Sequence, residues 1–125
     1  MNWFILLCMF FLHIVDDYYL QGVLAKMKQR QWWLDNAPKR MYRHDYRMAL
    51  WEHAFSWTFM IMLAPIVYHI YCHDIRIWYI ILYVINTIIH MYVDNLKANK
   101  YSINLIKDQS IHFIQIIITW ALMGI

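Results

Sequence analysis

The sequence predicts an all-α protein, a single domain of 125 residues whose four helices pack as a transmembrane bundle. Three observations predict it. Apolar residues make up 62% of the chain and charged residues 15%, against roughly 45–50% and 25% in a soluble domain. So short a chain cannot bury that much apolar surface in one water-soluble core. Stretches free of Asp, Glu, Lys and Arg fall at 1–15, 53–73, 77–93 and 109–125, each near the ~20 residues a spanning helix needs once polar ends are allowed. The basic residues are also segregated. Seven of the eleven lie between Lys26 and Arg47, and Lys97, Lys100 and Lys107 form a second group, which leaves only Arg76 elsewhere. With two Gly, two Pro and two Cys, the composition excludes a disordered tail, a Gly/Pro-rich β domain and a disulfide scaffold.

The first helix is expected over about 3–28. It has no basic leader and no small-residue cleavage site follows it, so it reads as a retained membrane helix rather than a signal peptide. The second is expected over about 46–71, with Pro65 inside it as a kink that bundle neighbours can tolerate. The third and fourth follow at about 75–97 and 103–124. The positive-inside rule places the two basic connections in the cytoplasm and both termini on the outer side. The expected location is a bacterial inner membrane, or a virion membrane for a phage structural protein. The bilayer, and anionic headgroups at the basic loop, are the expected partners. Topology already accounts for the basic charge, so no nucleic acid is expected. A homo-oligomer is left open.

Trp3, Trp78 and Trp120 fall near the outer boundary, Trp51 near the inner one, and Trp32 and Trp33 in the basic loop, as interfacial anchors do. Cys8 and Cys72 lie in apolar segments without metal or redox spacing and read as buried thiols. The connection Gln31–Asp45, broken at Asn36-Ala37-Pro38, is expected on the surface, with a lid over a site as the alternative that would bring His44 and Asp45 near it.

Polar residues inside the spans are costly in lipid and mark function or helix locking. Here they are patterned. The first helix carries His13, Asp17 and Gln21; the second His53 and Ser56; the third Asn86, His90 and Asp94; the fourth Asp108, His112, Gln115 and Thr119. Spacings of three and four put each set on one helix face. At 1.5 Å per residue, His53 lies roughly 9 Å beyond Arg47 and His90 roughly 10 Å before Lys97, so the faces meet at one level just below the cytoplasmic surface. His13, His53, His90 and His112 with Asp17, Asp94 and Asp108 make seven candidate ligands. Imidazole and carboxylate suit Zn²⁺, Mn²⁺ or Fe²⁺, as one ion with surrounding hydrogen bonds or as two bridged ions. His69 and His73, beside Asp74, form a second His pair at the outer end, read as a wet interfacial pair. An ion path would need polar residues along the whole span, yet the outer halves of the first three helices are nearly all apolar.

The runs HIVDDYYLQ (13–21), HMYVDNLK (90–97) and DQSIH (108–112), with a His in the second helix, resemble the signature of a small membrane family of bacteria and phages catalogued as domain of unknown function 3307. The likeness spans almost the whole chain. It implies polar roles for His13, Asp17, Gln21, His53, His90, Asp94, Lys97, Asp108, Gln109 and His112. Asp16 stands where the family usually has Gly, and Lys26, Lys28 and Arg30 compete for the basic residue that usually follows the first helix. The family implies no reaction. By analogy with small membrane proteins described as metal-dependent hydrolases, the expected activity is hydrolysis of a lipid-linked or otherwise amphiphilic ester or phosphoester. Asp17, Asp94 or Asp108 would serve as base if free of the metal, with Gln21, Asn86, Lys97 and Gln109 in support. No Gly-x-Ser-x-Gly elbow or phosphate-cradling Gly loop is present, so metal-activated water is the expected nucleophile. The alternative is a non-enzymatic assembly component or phage modulator of the host envelope, in which the polar network only fixes the bundle.

Overall fold

The structure, a computed structural model, describes residues 2–125 and is all-helical over them. Six α-helices occur in order: α1 (Trp3–Ile14), α2 (Leu24–Met27), α3 (Arg30–Asn36), α4 (Tyr46–Tyr71), α5 (Trp78–Ala98) and α6 (Leu105–Met123). Local chemistry sets their ends. The Asn2 side chain accepts from the Phe4 amide at 3.2 Å and Asn104 from the Lys107 amide at 3.0 Å, satisfying amides that α1 and α6 would leave open. Gly124, at φ +72°, closes α6 in the left-handed conformation that glycine adopts without steric cost.

The first helix departs from its expected extent. α1 passes directly into a π-helical segment, Val15–Leu20, and the chain then turns at Gly22, whose φ is +52°. The expected uninterrupted helix to residue 28 is therefore replaced by a helix to Leu20, a turn, and the separate α2. The turn leads α2 to pack beside α4. The connection that follows is structured too, as α3 and a 3₁₀ turn at Arg40–Tyr42. α4 runs unbroken through Pro65, which is buried.

α4 packs against α1 on one side and α5 on the other, and α6 closes the arrangement against α5 and α1. Ile5, Met9, Trp57, Ile61, Met62, Ile116 and Trp120 form the core of the half away from the basic connections. Large apolar side chains cover the outside: Phe4 is 72% exposed and Ile80 61%. So apolar a surface is compatible with lipid surroundings. Three segments are long and apolar enough to cross a membrane, Trp3–Leu20, Arg40–Tyr71 and Trp78–Ala98. α6 is not among them, because Lys107, Asp108, Gln109, His112 and Gln115 dilute its apolar run.

Several side chains lie elsewhere than expected. Cys72 is exposed at the end of α4 and Cys8 half-buried, so neither is a fully buried thiol. Trp120 is buried against Trp3, with ring centroids 4.9 Å apart, and belongs to the core rather than to a boundary belt.

Candidate metal centre

The polar faces of the four long helical segments do converge, at the end that carries the basic connections. The π-helical segment supplies two neighbouring carboxylates. Its wider turn lets Asp16 reach α4, where Ser56 Oγ donates to Asp16 Oδ1 at 2.6 Å, while Asp17 faces the centre. Such a turn inside a helix is a recurrent feature of functional sites. α4 brings His53 and, one turn deeper on the same face, Trp57. α5 brings His90 and Asp94, and α6 brings Asp108, Gln109 and His112.

His53, His90 and His112 and the carboxylates of Asp16, Asp94 and Asp108 are all but removed from solvent. Around His53 Nε2 lie Asp17 Oδ1 at 3.3 Å, Asp94 Oδ2 at 3.3 Å and His90 Nε2 at 3.2 Å. The second ring nitrogen of His90, Nδ1, is 3.2 Å from His112 Nδ1, and His112 Nε2 is 3.4 Å from both Asp94 Oδ1 and Asp108 Oδ1. Ligand atoms thus form two compact groups, Asp17–His53–His90 and His90–Asp94–His112. A tetrahedral ion with bonds of ~2.0–2.1 Å has ligand-to-ligand edges of about 3.3 Å, the length of the three spacings from His53 Nε2, although Asp94 belongs to the second compact group and not to that of Asp17 and His53.

Hydrogen bonding restricts the proton positions. Trp57 Nε1 donates to His13 Nδ1 at 2.6 Å, so the His13 proton sits on Nε2, 3.0 Å from Gln109 Oε1. Both nitrogens of His13 are therefore engaged, and it lies outside both ligand groups. Gln109 then turns its amide to Asp17 Oδ2 at 3.2 Å and Asp108 Oδ2 at 3.1 Å. Facing two carboxylates, His112 Nε2 carries a proton, which leaves its Nδ1 to accept from His90 Nδ1 when His112 is neutral. His90 Nε2 is then a bare lone pair. His53 Nε2, beside Asp17 and Asp94, is a second acceptor position aimed at the same point unless a proton occupies it. Asp17 Oδ1 and His112 Nε2 are among the buried polar atoms that lack a hydrogen-bond partner.

Two lysines enter the site. Lys28 Nζ lies 2.5 Å from Asp94 Oδ2 and Lys97 Nζ 2.6 Å from Asp108 Oδ2. Lys28, 7% exposed, settles which of the three basic candidates after the first helix faces inward. The turn at Gly22 points it there, and Asn99 fixes the turn by donating to the Lys28 carbonyl at 3.0 Å and accepting from the Arg30 amide at 2.6 Å. Counted with neutral imidazoles, the four carboxylates and two ammonium groups leave two net negative charges.

A cavity of about 350 Å³ opens over the site, bounded by Asp17, Gln21, Lys28, Gln29, Lys97 and Gln109 among others. Residues 31–45, expected as the possible lid, do not line it. The wall comes from the Gly22–Gln29 turn and the ends of α5 and α6. His44 is exposed, and neither it nor Asp45 reaches the ligand groups. Gln21 acts indirectly, donating to the Asp17 carbonyl at 2.8 Å. Asn86 stands apart from the site, in a deeper cluster where Gln115 Nε2 donates to its Oδ1 at 2.8 Å and its own amide reaches Thr119 Oγ1 at 3.0 Å.

No family model matches the chain, nor does any curated protein or solved structure. Its function is therefore argued from this geometry.

At the opposite end, His69 and His73 part company. His69 is buried against the Tyr79 hydroxyl, 3.0 Å from its Nε2, while His73 sits exposed in the loop at φ +54°. In the same loop Arg76 clamps both oxygens of Asp74, at 3.1 and 2.8 Å, holding the Asp74 carboxyl below the usual carboxylate range. Motif reading noted Asp16 only as a departure from the family pattern and Lys28 only as one of three basic candidates, and it did not single out Trp57. Trp57 was within reach of it, four residues beyond His53 on a face already marked as polar.

Proposed function

We propose that the chain is an integral membrane metalloprotein of four spanning segments. Its basic connections and site mouth face the cytoplasm, and both termini lie on the outer side. One divalent ion, Zn²⁺, Mn²⁺ or Fe²⁺, is held by Asp17, His53, His90 and Asp94. A single observation carries the reading: the His53 and His90 Nε2 atoms stand 3.2 Å apart with two carboxylate oxygens beside them. A cation between them satisfies both lone pairs and both carboxylates at once, whereas the alternative, a proton on His53 Nε2 donated to His90 Nε2, satisfies the imidazole pair alone. The net charge agrees, since two negative charges in a low-dielectric site ask for one divalent ion or for two imidazolium protons. A second ion is not required, because a neutral imidazole offers only one lone pair and His90 is shared by both ligand groups.

The activity we assign is hydrolysis of a phosphoester in an amphiphilic substrate. The Lys28 and Lys97 ammonium groups and the Gln21 and Gln29 amides line the mouth and suit an anionic headgroup arriving at that depth. The ion supplies Lewis acidity and a low-pKa water when bound. The chain supplies orientation. Asp16 lies 3.7 Å from His53 Nδ1, Trp57 stacks on His90 with centroids 4.0 Å apart, and the Asp94–His112–Asp108 array offers places for a released proton.

Metal titration of the detergent-purified chain with simultaneous proton counting tests the metal. One ion per chain, with about two protons released, is expected, since binding displaces the protons that otherwise balance the site. Absence of stoichiometric metal and of proton release refutes it. Turnover of lipid-linked against water-soluble phosphoesters by the loaded protein then tests the activity.

A further inference from the structure

A second cavity, of about 360 Å³, lies between the start of α4 and the end of α5, on the same end of the molecule but outside the metal site. Its polar rim is formed by Arg47 and Lys100, both exposed, and by Asn95. Neither cation makes an ion pair among the described residues, whereas Lys28, Lys97 and Arg76 each hold a carboxylate. No carboxylate lines the cavity. The Asn95 side-chain Oδ1 accepts from Asn99 Nδ2 at 2.9 Å, which leaves the Asn95 side-chain NH₂ as an uncommitted donor. Two tyrosines frame the rim: Lys100 lies 5.7 Å over the Tyr92 ring and Arg47 5.9 Å over the Tyr46 ring. The floor, by contrast, is Leu50 and Met91.

Two unpaired cations, a free amide and aromatic sides above an apolar floor form a site with a charged end and a greasy end. It faces outward where basic connections meet the apolar span. Water-soluble anions have no use for the greasy floor, and hydrocarbon alone has no use for the cations. Basic pockets between helices at this depth suit the phosphate of an anionic lipid.

We propose that this α4–α5 cavity is a binding site for one anionic phospholipid, its phosphate held by Arg47, Lys100 and the Asn95 amide, and its chains leaving over Leu50 and Met91. The site is independent of the metal centre and would stand if that centre held only protons. It also narrows the attraction expected of the whole basic loop to two residues flanking the spans.

Native mass spectrometry of the full chain, released from nanodiscs of phosphatidylcholine containing phosphatidylglycerol, tests this. One retained phosphatidylglycerol per chain is expected, with phosphatidylcholine at background. Arg47→Gln and Lys100→Gln should each cut retention about fivefold, and together about thirtyfold. Arg47→Lys with Lys100→Arg should restore most of it, which separates lost charge from lost fold. Met91→Trp, filling the floor without touching charge, should also expel the lipid. Glycerol phosphate, which carries the charge without the chains, should not compete at millimolar concentration. Equal retention of both lipids, retention unchanged in the double Gln variant, or displacement by glycerol phosphate overturns the proposal.

Discussion

Asp94→Asn is the most informative single change, because Asp94 serves the stability of the fold and the proposed metal at once. Its carboxylate is 2% exposed and faces the Lys28 ammonium at 2.5 Å, and Lys28 is itself 7% exposed. Neutralising Asp94 leaves that ammonium buried without its partner. Breaking a buried pair from one side costs about 3–5 kcal/mol, and so little exposure leaves solvent little scope to soften it. Replacing both partners by apolar residues of similar size removes the stranded charge, a change that is often neutral or stabilising. Lys28→Met/Asp94→Leu is therefore expected within ~1 kcal/mol of the parent, while binding metal no better than Asp94→Asn. Reversible unfolding in mixed micelles gives the stabilities, and metal titration gives the second readout. A double variant as unstable as Asp94→Asn would refute the ion-pair reasoning. One that bound metal like the parent would remove Asp94 from the ligand set.

Trp57→Phe keeps an aromatic ring against His90 but removes the 2.6 Å bond to His13 Nδ1, leaving a buried acceptor unpaired. A loss of about 1–3 kcal/mol is expected in the same unfolding assay, with metal stoichiometry unchanged because neither His13 nor Trp57 is a proposed ligand. Gly22→Ala meets no steric obstacle, its added carbon lying 3.8 Å from the Leu20 carbonyl, but φ +52° strains any side chain there. About 1–2 kcal/mol should be lost, and hydrogen exchange should report loosening of residues 23–29. In the α4–α5 loop, Arg76→Ala should raise the Asp74 carboxyl toward its ordinary range, read by NMR titration. Because that carboxyl is depressed in the folded chain, the small stabilisation it gives is present above the ordinary carboxylate range. It is lost as pH falls through the depressed value, and high salt should weaken it.

The convergence of His53, His90, His112, Asp17 and Asp94 was legible in the sequence, because i, i+4 spacing fixes a face and the basic residues fix a level. The boundaries of α4, α5 and α6 were legible within a few residues for the same reason. The first helix was legible only to Leu20. A period of 3.6 cannot announce a π turn, so Asp16 passed as a neighbour of the site rather than part of it. Lys26, Lys28 and Arg30 were indistinguishable because a change of chain direction at Gly22, invisible in composition, decides which one points inward. Trp120 and Cys72 were misplaced because hydropathy reports that a residue is apolar and not which neighbour covers it.

The sequence by itself determined that the chain is helical, suited to a bilayer, and polar on faces that meet at one depth. Those properties follow from periodicity and charge, which are local and additive along the chain. Only the tertiary structure decided which polar residues share one point. His13, the first member of the first motif, is spent on Trp57 and Gln109, and Asp108 is held by Lys97 and faces His112. Asp17, His53 and His90 form one compact group, and His90, Asp94 and His112 the other. A lone pair has a single direction, and its partner comes from another helix whose rotation no local pattern records.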